Sequence, residues 1–402
     1  MLGRMEPPAT THAANDPEPL APATASPRQP NKRLRLAVLV LALLAGPLLA
    51  EGLLRFMIFS SSQPGDTVRD PRLYAGPAHD DDFYKLQYLL APPERRRPPP
   101  GYDPVMGWVG HAIEPGTYAH RDAETIAARR PVLLYGASYA QCASGLVQSA
   151  CFQHVMAGSD LADDYAMLNY GVGNAGLDQA YLMLKHTLDD HAGQKPVVVI
   201  GLVLETDFDR CMLTFRGWAK PHFTVTETGE LTLDGPVIEG TDAFLAAHPL
   251  SLRSYLWRLL LNSPGWLPGG LKKMLTGYEQ TVATEKALVT SLVVAMQDEL
   301  ASRGLDAFFV LFCRKEAVRL ENPTVSWQHD FVPALLDEYD FPYVLAAPLL
   351  TREGQRQDRD PVEFFFASGP DKNHPTAEGN VLLFELIRKG LNGVFDGGTA
   401  DG

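Results

Sequence analysis

Ser138 and His374 are the residues of this chain whose surroundings best suit nucleophilic catalysis. Ser138 follows a short apolar run and two small residues, 133–137. A serine becomes a nucleophile when a base removes its proton, and a histidine oriented by a carboxylate is a common base. Asp371 stands three residues before His374 and can supply that carboxylate. The spacing therefore indicates an activated serine of the kind that forms acyl intermediates.

Each of these residues also has an ordinary structural interpretation. A serine after a strand commonly caps the following helix, and a histidine before Pro375 could lie on the surface. Asp371 could serve only as a negative charge near a helix N-terminus. The presence of both Ser138 and His374 favours catalysis over these alternatives.

Short apolar runs alternate with helical periods from Pro131 onward, and this alternation predicts the fold class. Runs that are apolar throughout are typical of strands covered on both faces. We therefore expect an α/β domain with a doubly wound, parallel, five-stranded sheet. The strands are expected at 132–135, 166–169, 196–204, 307–312 and 343–346. The helices are expected at 146–156, 177–190, around 288–300 and 382–391. Ser138 would then lie at the carboxyl edge of the sheet, where ligands of open α/β sheets bind.

Residues 212–275 form an insertion between the third strand and the long helix. Alternating apolar residues flank Thr228 and Gly229, which predicts a hairpin. A helical segment is expected over Asp242–Leu261. The insertion is placed to wall a substrate cleft, and it could equally be a packing or partner surface.

The N-terminal region contains a predicted membrane anchor. Residues 1–31 are rich in Pro, Ala and Thr and are expected to be a disordered cytoplasmic tail. Lys32, Arg33 and Arg35 precede an apolar stretch that is long enough to span a bilayer. Basic residues on the N-terminal side place that end in the cytoplasm. We interpret 32–59 as an uncleaved signal anchor, and a cleaved signal peptide is the competing interpretation.

The remaining boundaries follow from composition. Residues 60–130 are rich in Pro and Arg and are expected to form a stalk that packs on the domain. The α/β domain is expected at 131–395, and residues 396–402 as a disordered tail.

Charge and cysteine content exclude several classes of protein. A net charge of −13 without a basic face argues against a nucleic-acid partner. Four cysteines are too few for a disulfide scaffold, although Cys142 and Cys151 could form a bridge in an oxidising compartment. The sequence has no His-Glu-x-x-His and no Cys-x-x-Cys motif, so it predicts neither a metal site nor a cofactor.

One glycine motif offers a competing function. Residues 171–176 fit Gly-x-Gly-x-x-Gly after a predicted strand, and the next strand ends near Glu205, as in a dinucleotide-binding site. However, the motif follows the second strand of the pattern, and a dinucleotide site leaves Ser138 and His374 without a role.

Three motifs together resemble those of the SGNH/GDSL hydrolases: Gly136-Ala137-Ser138, the block Asn169–Asn174, and Asp371-x-x-His374-Pro. The run 168–173 followed by 176–179 is similar to membrane-anchored bacterial members of that superfamily associated with surface polysaccharide modification. The resemblance covers about 131–392. It implies an SGNH, flavodoxin-like sheet, with Ser138 as nucleophile, His374 as base, and Asp371 holding the imidazole in the correct tautomer.

The sequence departs from this family at three positions. Ala137 replaces an aspartate, and Asn174 replaces a glycine whose main-chain N–H serves the oxyanion hole. Asparagine keeps that N–H and tolerates a left-handed backbone. Glu205-Thr206-Asp207 follows the third strand where the family has an oxyanion-binding asparagine. A carboxylate would repel an oxyanion, and losing one such donor costs roughly 10²–10³ in rate.

The resemblance implies a function and a location. The expected protein is a serine esterase or O-acyltransferase acting on acyl esters, such as acetyl esters, of an exported or surface glycan. It would be anchored in the bacterial inner membrane with its domain in the periplasm, in contact with a polysaccharide-export or acyltransferase complex. The candidate oxyanion or substrate-binding residues are Gly173, Asn174, Glu205, Asp207 and Arg210. The alternative is an inactive SGNH-fold protein that binds polysaccharide or scaffolds an export complex, which the acidic block favours.

Overall fold

A computed structural model describes residues 32–60, 67–97, 101–110, 129–142, 146–263, 265, 267–319, 326–369 and 371–396. The chain divides into two compact units, residues 1–50 and 51–402. The predicted tail at 1–31 lies outside the described residues, as does 397–402 from the predicted C-terminal tail.

The described residues form helices and strands with the following bounds. The α-helices are α1 (Lys32–Phe59), α2 (Asp81–Leu90), α3 (Ser138–Gln141), α4 (Phe152–Ala157), α5 (Leu177–Thr187), α6 (Thr241–Ala247), α7 (Tyr255–Asn262), α8 (Gly269–Thr276), α9 (Tyr278–Ser302), α10 (Gln328–Glu338), α11 (Ala346–Gln357) and α12 (Ala377–Asp396). The strands are β1 (Tyr102–Asp103), β2 (Gly107–Trp108), β3 (Arg130–Gly136), β4 (Tyr165–Gly171), β5 (Val197–Val203), β6 (Phe223–Val225), β7 (Leu231–Leu233), β8 (Asp306–Phe312) and β9 (Tyr343–Leu345).

The central sheet has five strands in the order β4-β3-β5-β8-β9, and all of its pairings are parallel. Numbered by position along the chain, this order is 2-1-3-4-5, which is the doubly wound order of flavodoxin-like folds. Because the strands are parallel, their carboxyl ends lie at one edge of the sheet. The predicted α/β fold class is confirmed.

Helices cover both faces of this sheet. In β3, Leu133 and Tyr135 join a core that contains residues of α5, α9 and α10. Val132 and Leu134 join a second core with residues of α4, α11 and α12. Successive side chains of a strand point to opposite faces. The sheet is therefore buried on both sides, which explains why its strands are apolar throughout.

Helix α1 has the bounds that the sequence indicated for the anchor. Its segment Arg35–Phe59 is 25 residues long with a hydropathy of 2.2, which is sufficient to cross a bilayer and also typical of a signal sequence. The second compact unit begins inside this helix, at Glu51. The Glu51 carboxylate accepts hydrogen bonds from the N–H groups of Tyr255 and Leu256 at the start of α7, at 3.0 and 2.8 Å. The last turns of α1 are thus part of the folded unit.

The described parts of the predicted stalk also belong to this unit. Trp108 is buried, and its Nε1–H donates to the carbonyl of Gly173 at 3.0 Å. The Asp81 carboxylate accepts a hydrogen bond from the N–H of Thr214 at 2.9 Å. The segment therefore packs on the sheet domain at two separate places.

The insertion contains the expected hairpin, β6 with β7, around Gly229. The prediction of one helix over Asp242–Leu261 is wrong, because α6 ends at Ala247 and α7 begins at Tyr255. Pro249 disfavours helical backbone in the residue before it. Ser254 then caps α7, since its Oγ accepts the N–H of Trp257.

The predicted helix at 146–156 also starts later than expected. A single 3-10 turn occupies Gln148–Ala150, and α4 begins only at Phe152. Cys151, between the two, has extended backbone with φ −76° and ψ 143°, so the chain cannot continue as one helix.

A buried ion pair joins the insertion to α5. Lys220 Nζ pairs with the carboxylate of Asp178, and both side chains are fully buried. Lys220 Nζ also donates to the carbonyls of Arg210 and Leu213, at 2.9 and 3.1 Å. The lysine therefore holds together the segment between β5 and the hairpin.

We expect Lys220→Met to lower the free energy of unfolding by about 3–5 kcal/mol, because it leaves Asp178 charged and buried without its partner. Urea denaturation of the full-length protein in detergent would measure the change. Lys273→Met, at an exposed position of α8, is the control and should change stability by less than about 0.5 kcal/mol. Equal effects of the two substitutions would contradict a stabilising role for the pair.

Candidate active site

Strand β3 delivers Ser138 to the carboxyl edge of the sheet. The strand ends at Gly136, and Ser138 is the first residue of α3. A Cβ at Gly136 would lie 2.0 Å from the carbonyl oxygen of Gly201 in β5. Only glycine allows this close approach of the two strands. Ser138 therefore lies beside the point where the strand order reverses, which is the ordinary ligand site of such sheets.

A short loop before α12 positions His374 at the same edge. The N–H of Phe366 donates to the carbonyl of His374 at 2.8 Å, and the N–H of Asn373 donates to the carbonyl of Phe366 at 3.0 Å. Asn373 has left-handed backbone, with φ 75°. The hydroxyl of Tyr139, next to Ser138, donates to the carbonyl of Asn373 at 2.5 Å. This bond ties α3 to the histidine loop.

The structure brings Ser138 and His374 into direct contact, although they are 236 residues apart in the chain. The distance from His374 Nε2 to Ser138 Oγ is 2.9 Å, which is suitable for transfer of the serine proton to the imidazole. The ring of Tyr139 lies against the imidazole, with centroids 5.3 Å apart. Both Ser138 and His374 remain partly exposed, so a substrate can reach them.

The surroundings of His374 favour the neutral imidazole. Burial lowers the pKa of His374, and this effect exceeds the opposing one from the main chain and carboxylate of Asp371. The charge of Arg210 lowers the pKa of His374 further. A neutral ring can accept the proton of Ser138. No carboxylate among the described residues hydrogen-bonds to His374 Nδ1, so the orienting role of the Asp371 carboxylate stays a prediction.

The turn at Gly173 and Asn174 packs against the helix that carries Ser138. A Cβ on Gly173 would lie 2.6 Å from the side-chain oxygen of Gln141 in α3. Asn174 has left-handed backbone, with φ 71°, a conformation that asparagine tolerates better than most residues. Its carbonyl accepts a hydrogen bond from Arg216 Nη1 at 3.1 Å. Neither residue is among those that line the cleft.

Glu205 and Asp207, which replace the expected asparagine, are both compensated. Glu205 accepts hydrogen bonds from the ring of His329 at 2.9 Å and from the N–H of Arg314 at 3.0 Å. Asp207 is 1% exposed, pairs with Arg210 Nη1 at 2.5 Å, and accepts the N–H of Val203 at 2.8 Å. These partners reduce the repulsion that either carboxylate would exert on an oxyanion.

Ser138 and His374 line a cleft of about 370 Å³. Glu205 and Arg210, predicted from the sequence, line it as well. Sequence reasoning missed several lining residues, including Tyr84, Arg314 and Lys372. Arg314 follows the carboxyl end of β8, and its place after a predicted strand could have marked it as a cleft residue in the sequence. Nothing in the sequence marked Tyr84, because its segment was interpreted as a stalk.

The insertion contributes little to the cleft wall. Arg216 is the one insertion residue among the described residues that line it, while Pro77, Ala78 and Tyr84 come from the N-terminal segment. The hairpin instead packs on the core beside α5 and α9, where Phe223 contacts Tyr181. The cleft role expected for the insertion is therefore largely taken by residues near α2.

Cys142 and Cys151 form a disulfide, with Cα atoms 5.4 Å apart. It links the end of α3 to the start of α4, directly after the helix that carries Ser138. The other two cysteines, Cys211 and Cys313, are free and buried.

No family model and no curated protein matches this chain. Among solved structures, it is similar to a member of the lipolytic protein G-D-S-L family from Veillonella parvula DSM 2008, with 10% identity, a TM-score of 0.35, and coverage of 65% of this chain and 97% of that one. It is also similar to the acetyl xylan esterase AlAXEase, with 12% identity, a TM-score of 0.36, and coverage of 64% and 98%. A third is a two-domain esterase active on acetylated mannans, with 12% identity, a TM-score of 0.34, and coverage of 68% and 51%. Likenesses this distant carry no argument about activity, which depends on the geometry of Ser138 and His374.

The pKa of His374 is a direct test of this site. In an NMR titration of the imidazole, we expect its pKa to lie below 6.5, because burial dominates. Asp371→Asn should lower that pKa further, since it removes a negative charge that favours the protonated ring. Arg210→Gln should raise it, since it removes a positive charge.

Asp298→Asn is the matched control for this titration. Asp298 is exposed near the C-terminal end of α9. This helix end leads into the amino end of β8, whereas Ser138 and His374 lie at the carboxyl edge of the sheet. Its replacement should leave the titration of His374 unchanged. Shifts of the same sign in Asp371→Asn and Arg210→Gln would contradict the assigned electrostatics.

Proposed function

We propose that this protein is an SGNH-like serine esterase or O-acyltransferase that acts on acyl esters of a glycan. The observation that carries the proposal is the 2.9 Å contact between Ser138 Oγ and His374 Nε2 in a cleft at the carboxyl edge of a doubly wound sheet. The serine, the histidine and the fold class were each expected from sequence motifs. Their convergence at one edge supports acyl transfer over a helix-capping role for Ser138.

The proposed reaction has two halves. Ser138 Oγ attacks the acyl carbon while His374 Nε2 accepts its proton, and a tetrahedral intermediate with a negative oxygen forms. The C–O bond to the alcohol then breaks, and His374 returns the proton to the leaving oxygen. The product is an acyl-Ser138 ester. Water or the hydroxyl of an acceptor sugar completes the cycle by attacking that ester.

The cationic wall of the cleft supports a negative intermediate. Arg210, Arg314 and Lys372 all line it. Arg210 pairs with Asp207 at 2.5 Å, which offsets one of the carboxylates in the loop after β5. In this proposal, the main-chain N–H of Ser138 supplies one oxyanion donor. The Gly173–Asn174 turn, which the resemblance of the motifs implies as a second donor, does not line the cleft.

A glycan substrate at a membrane is the finer part of the proposal. The cleft mixes an aromatic ring, Tyr84, with charged groups such as Glu205 and Arg314, a lining that suits sugar hydroxyls. Helix α1, which begins with the basic residues Lys32, Arg33 and Arg35, supports a single-pass anchor in the bacterial inner membrane with the domain in the periplasm. The Cys142–Cys151 disulfide is in keeping with an oxidising compartment. There the domain would meet an exported polysaccharide and its export or acyltransferase complex.

The second candidate is a catalytically inactive SGNH-fold protein that binds polysaccharide or scaffolds an export complex. Two observations favour it. Glu205 and Asp207 replace the oxyanion-binding asparagine of the family, and His374 Nδ1 lacks a hydrogen-bond partner among the described residues.

A fluorophosphonate probe separates the two candidates. We expect it to label the purified full-length protein at Ser138, because His374 activates that hydroxyl. Ser138→Ala and His374→Ala should both abolish labelling and lower hydrolysis of p-nitrophenyl acetate by at least about 10³-fold. Ser302→Ala, at an exposed serine of α9, should behave like the unchanged protein.

Failure of the unchanged, folded protein to react with the probe would overturn the esterase proposal. A glycan-binding measurement would then test the scaffold candidate. Labelling that persists in Ser138→Ala would instead mean that another serine reacts.

The proposed topology has its own test. Alkaline phosphatase fused after Gly402 should be active in bacteria, because the fusion point would lie in the periplasm and that enzyme needs an oxidising compartment. Green fluorescent protein at the same position should be dark, because it does not fluoresce when it is exported by the general pathway. A matched pair of fusions that lacks residues 1–59 should reverse both signals. Phosphatase activity confined to the shortened form would refute the periplasmic location.

A further inference from the structure

His79, Asp209 and Glu285 converge beside the cleft from three separate parts of the chain. His79 precedes α2, Asp209 begins the turn after β5, and Glu285 lies on α9. One potential ligand atom from each lies within 4.8 Å of the others. Nδ1 of His79 is 3.3 Å from Oε2 of Glu285. Asp209 also lines the cleft, although none of these three residues has a role in the proposed acyl transfer.

The Glu285 carboxylate lacks the compensation that a buried charge needs. Its side chain is fully buried, and neither of its oxygens has a hydrogen-bond donor among the described residues. Its neighbour Asp209 is a second carboxylate, so it adds repulsion. Buried charges are otherwise paired, neutralised or bound to a metal. The pair therefore requires a cation or a shared proton.

A fourth polar group lies against the cluster. Gln328 is 2% exposed, and its Nε2 donates to Asp209. Its carbonyl oxygen, Oε1, has no hydrogen-bond partner among the described residues. Buried amide oxygens are nearly always satisfied. An unsatisfied amide oxygen on a side chain that contacts the cluster, together with the unsatisfied Glu285 carboxylate, points to a ligand that accepts electron pairs.

We propose that His79, Asp209 and Glu285 bind a divalent transition-metal ion, with zinc the best match. Zinc accepts both imidazole nitrogen and carboxylate oxygen as ligands, and three protein ligands leave a fourth position for water or for Gln328 Oε1. Bonds of about 2.0–2.2 Å place tetrahedral ligand atoms roughly 3.3–3.5 Å apart. The 3.3 Å between His79 Nδ1 and Glu285 Oε2 fits this geometry. Calcium and magnesium prefer sets made of oxygen alone.

The ion would fix one wall of the cleft. It would join the segment before α2, the turn after β5 and helix α9. The same turn carries Arg210, which lines the cleft and pairs with Asp207 at 2.5 Å. A doubly charged ion also balances the two carboxylates, and this removes the electrostatic cost of burying them. The ion thus acts on the cleft through Arg210 and its turn.

The test measures metal binding by the full-length protein in detergent. After treatment with EDTA and removal of the chelator, zinc is added back, and bound zinc is counted by mass spectrometry. Thermal unfolding is recorded in parallel. We expect about one zinc ion per chain and an increase in Tm of several degrees, because a ligand that binds only the folded state stabilises it.

Glu285→Gln is the decisive variant. Glutamine has the size of glutamate but carries no charge, and it is a poor zinc ligand. The variant should fold and should lose both the bound zinc and the increase in Tm. Glu279→Gln, at an exposed position of the same helix, is the matched control and should keep both.

Two results would overturn the proposal. Failure of the unchanged protein to take up zinc would assign Asp209 and Glu285 to a shared proton. Retention of the bound zinc and of the Tm increase in Glu285→Gln would place the metal elsewhere. Neither measurement depends on esterase activity, so failure of the esterase proposal leaves this test intact.

Discussion

The parallel pairing of β3 with β4 and β5 is the constraint on which the candidate active site depends. It places the carboxyl ends of these strands at one edge, so that Ser138 and the loop after β5 lie side by side. Gly136 allows β3 to approach β5 closely at that point, because a Cβ there would collide with the carbonyl oxygen of Gly201. The histidine loop then reaches the same edge from the far end of the chain, where Tyr139 holds it through the carbonyl of Asn373.

The electrostatics of the cleft follow from this arrangement. Acidic residues after β5 would be unfavourable beside a reaction that develops negative charge. Here Glu205 lies between His329 and the main chain of Arg314, and Asp207 is paired with Arg210. Hydrogen-bond partners thus accompany each carboxylate. The acidic residues of this loop are therefore held by specific partners next to Ser138.

The N-terminal segment has a larger structural role than a spacer. Glu51 caps α7, Trp108 is buried beside Gly173, and Tyr84 lines the cleft. His79 brings a nitrogen ligand to two buried carboxylates. Residues before the first strand of the sheet therefore complete the domain, and removal of this segment would expose part of its core.

The sequence alone determined the fold class and the two central residues, because both leave local signals. Buried parallel strands are apolar throughout, so their number and order along the chain could be predicted from composition. Ser138 and His374 stand in short motifs at a strand end and before a helix, where their types are informative. The Pro249 break between α6 and α7 was also visible in the sequence, although the predicted helix ran through it.

Only the tertiary structure decided which distant groups meet. His329 contacts Glu205, and Tyr84 lines the cleft. His79, Asp209 and Glu285 also come together. In each case the residues belong to segments that share no sequence motif. A metal motif can be found in a sequence when its ligands are spaced along one element, as in His-Glu-x-x-His. Ligands from three separate parts of the chain have no fixed spacing, because their proximity comes only from tertiary packing.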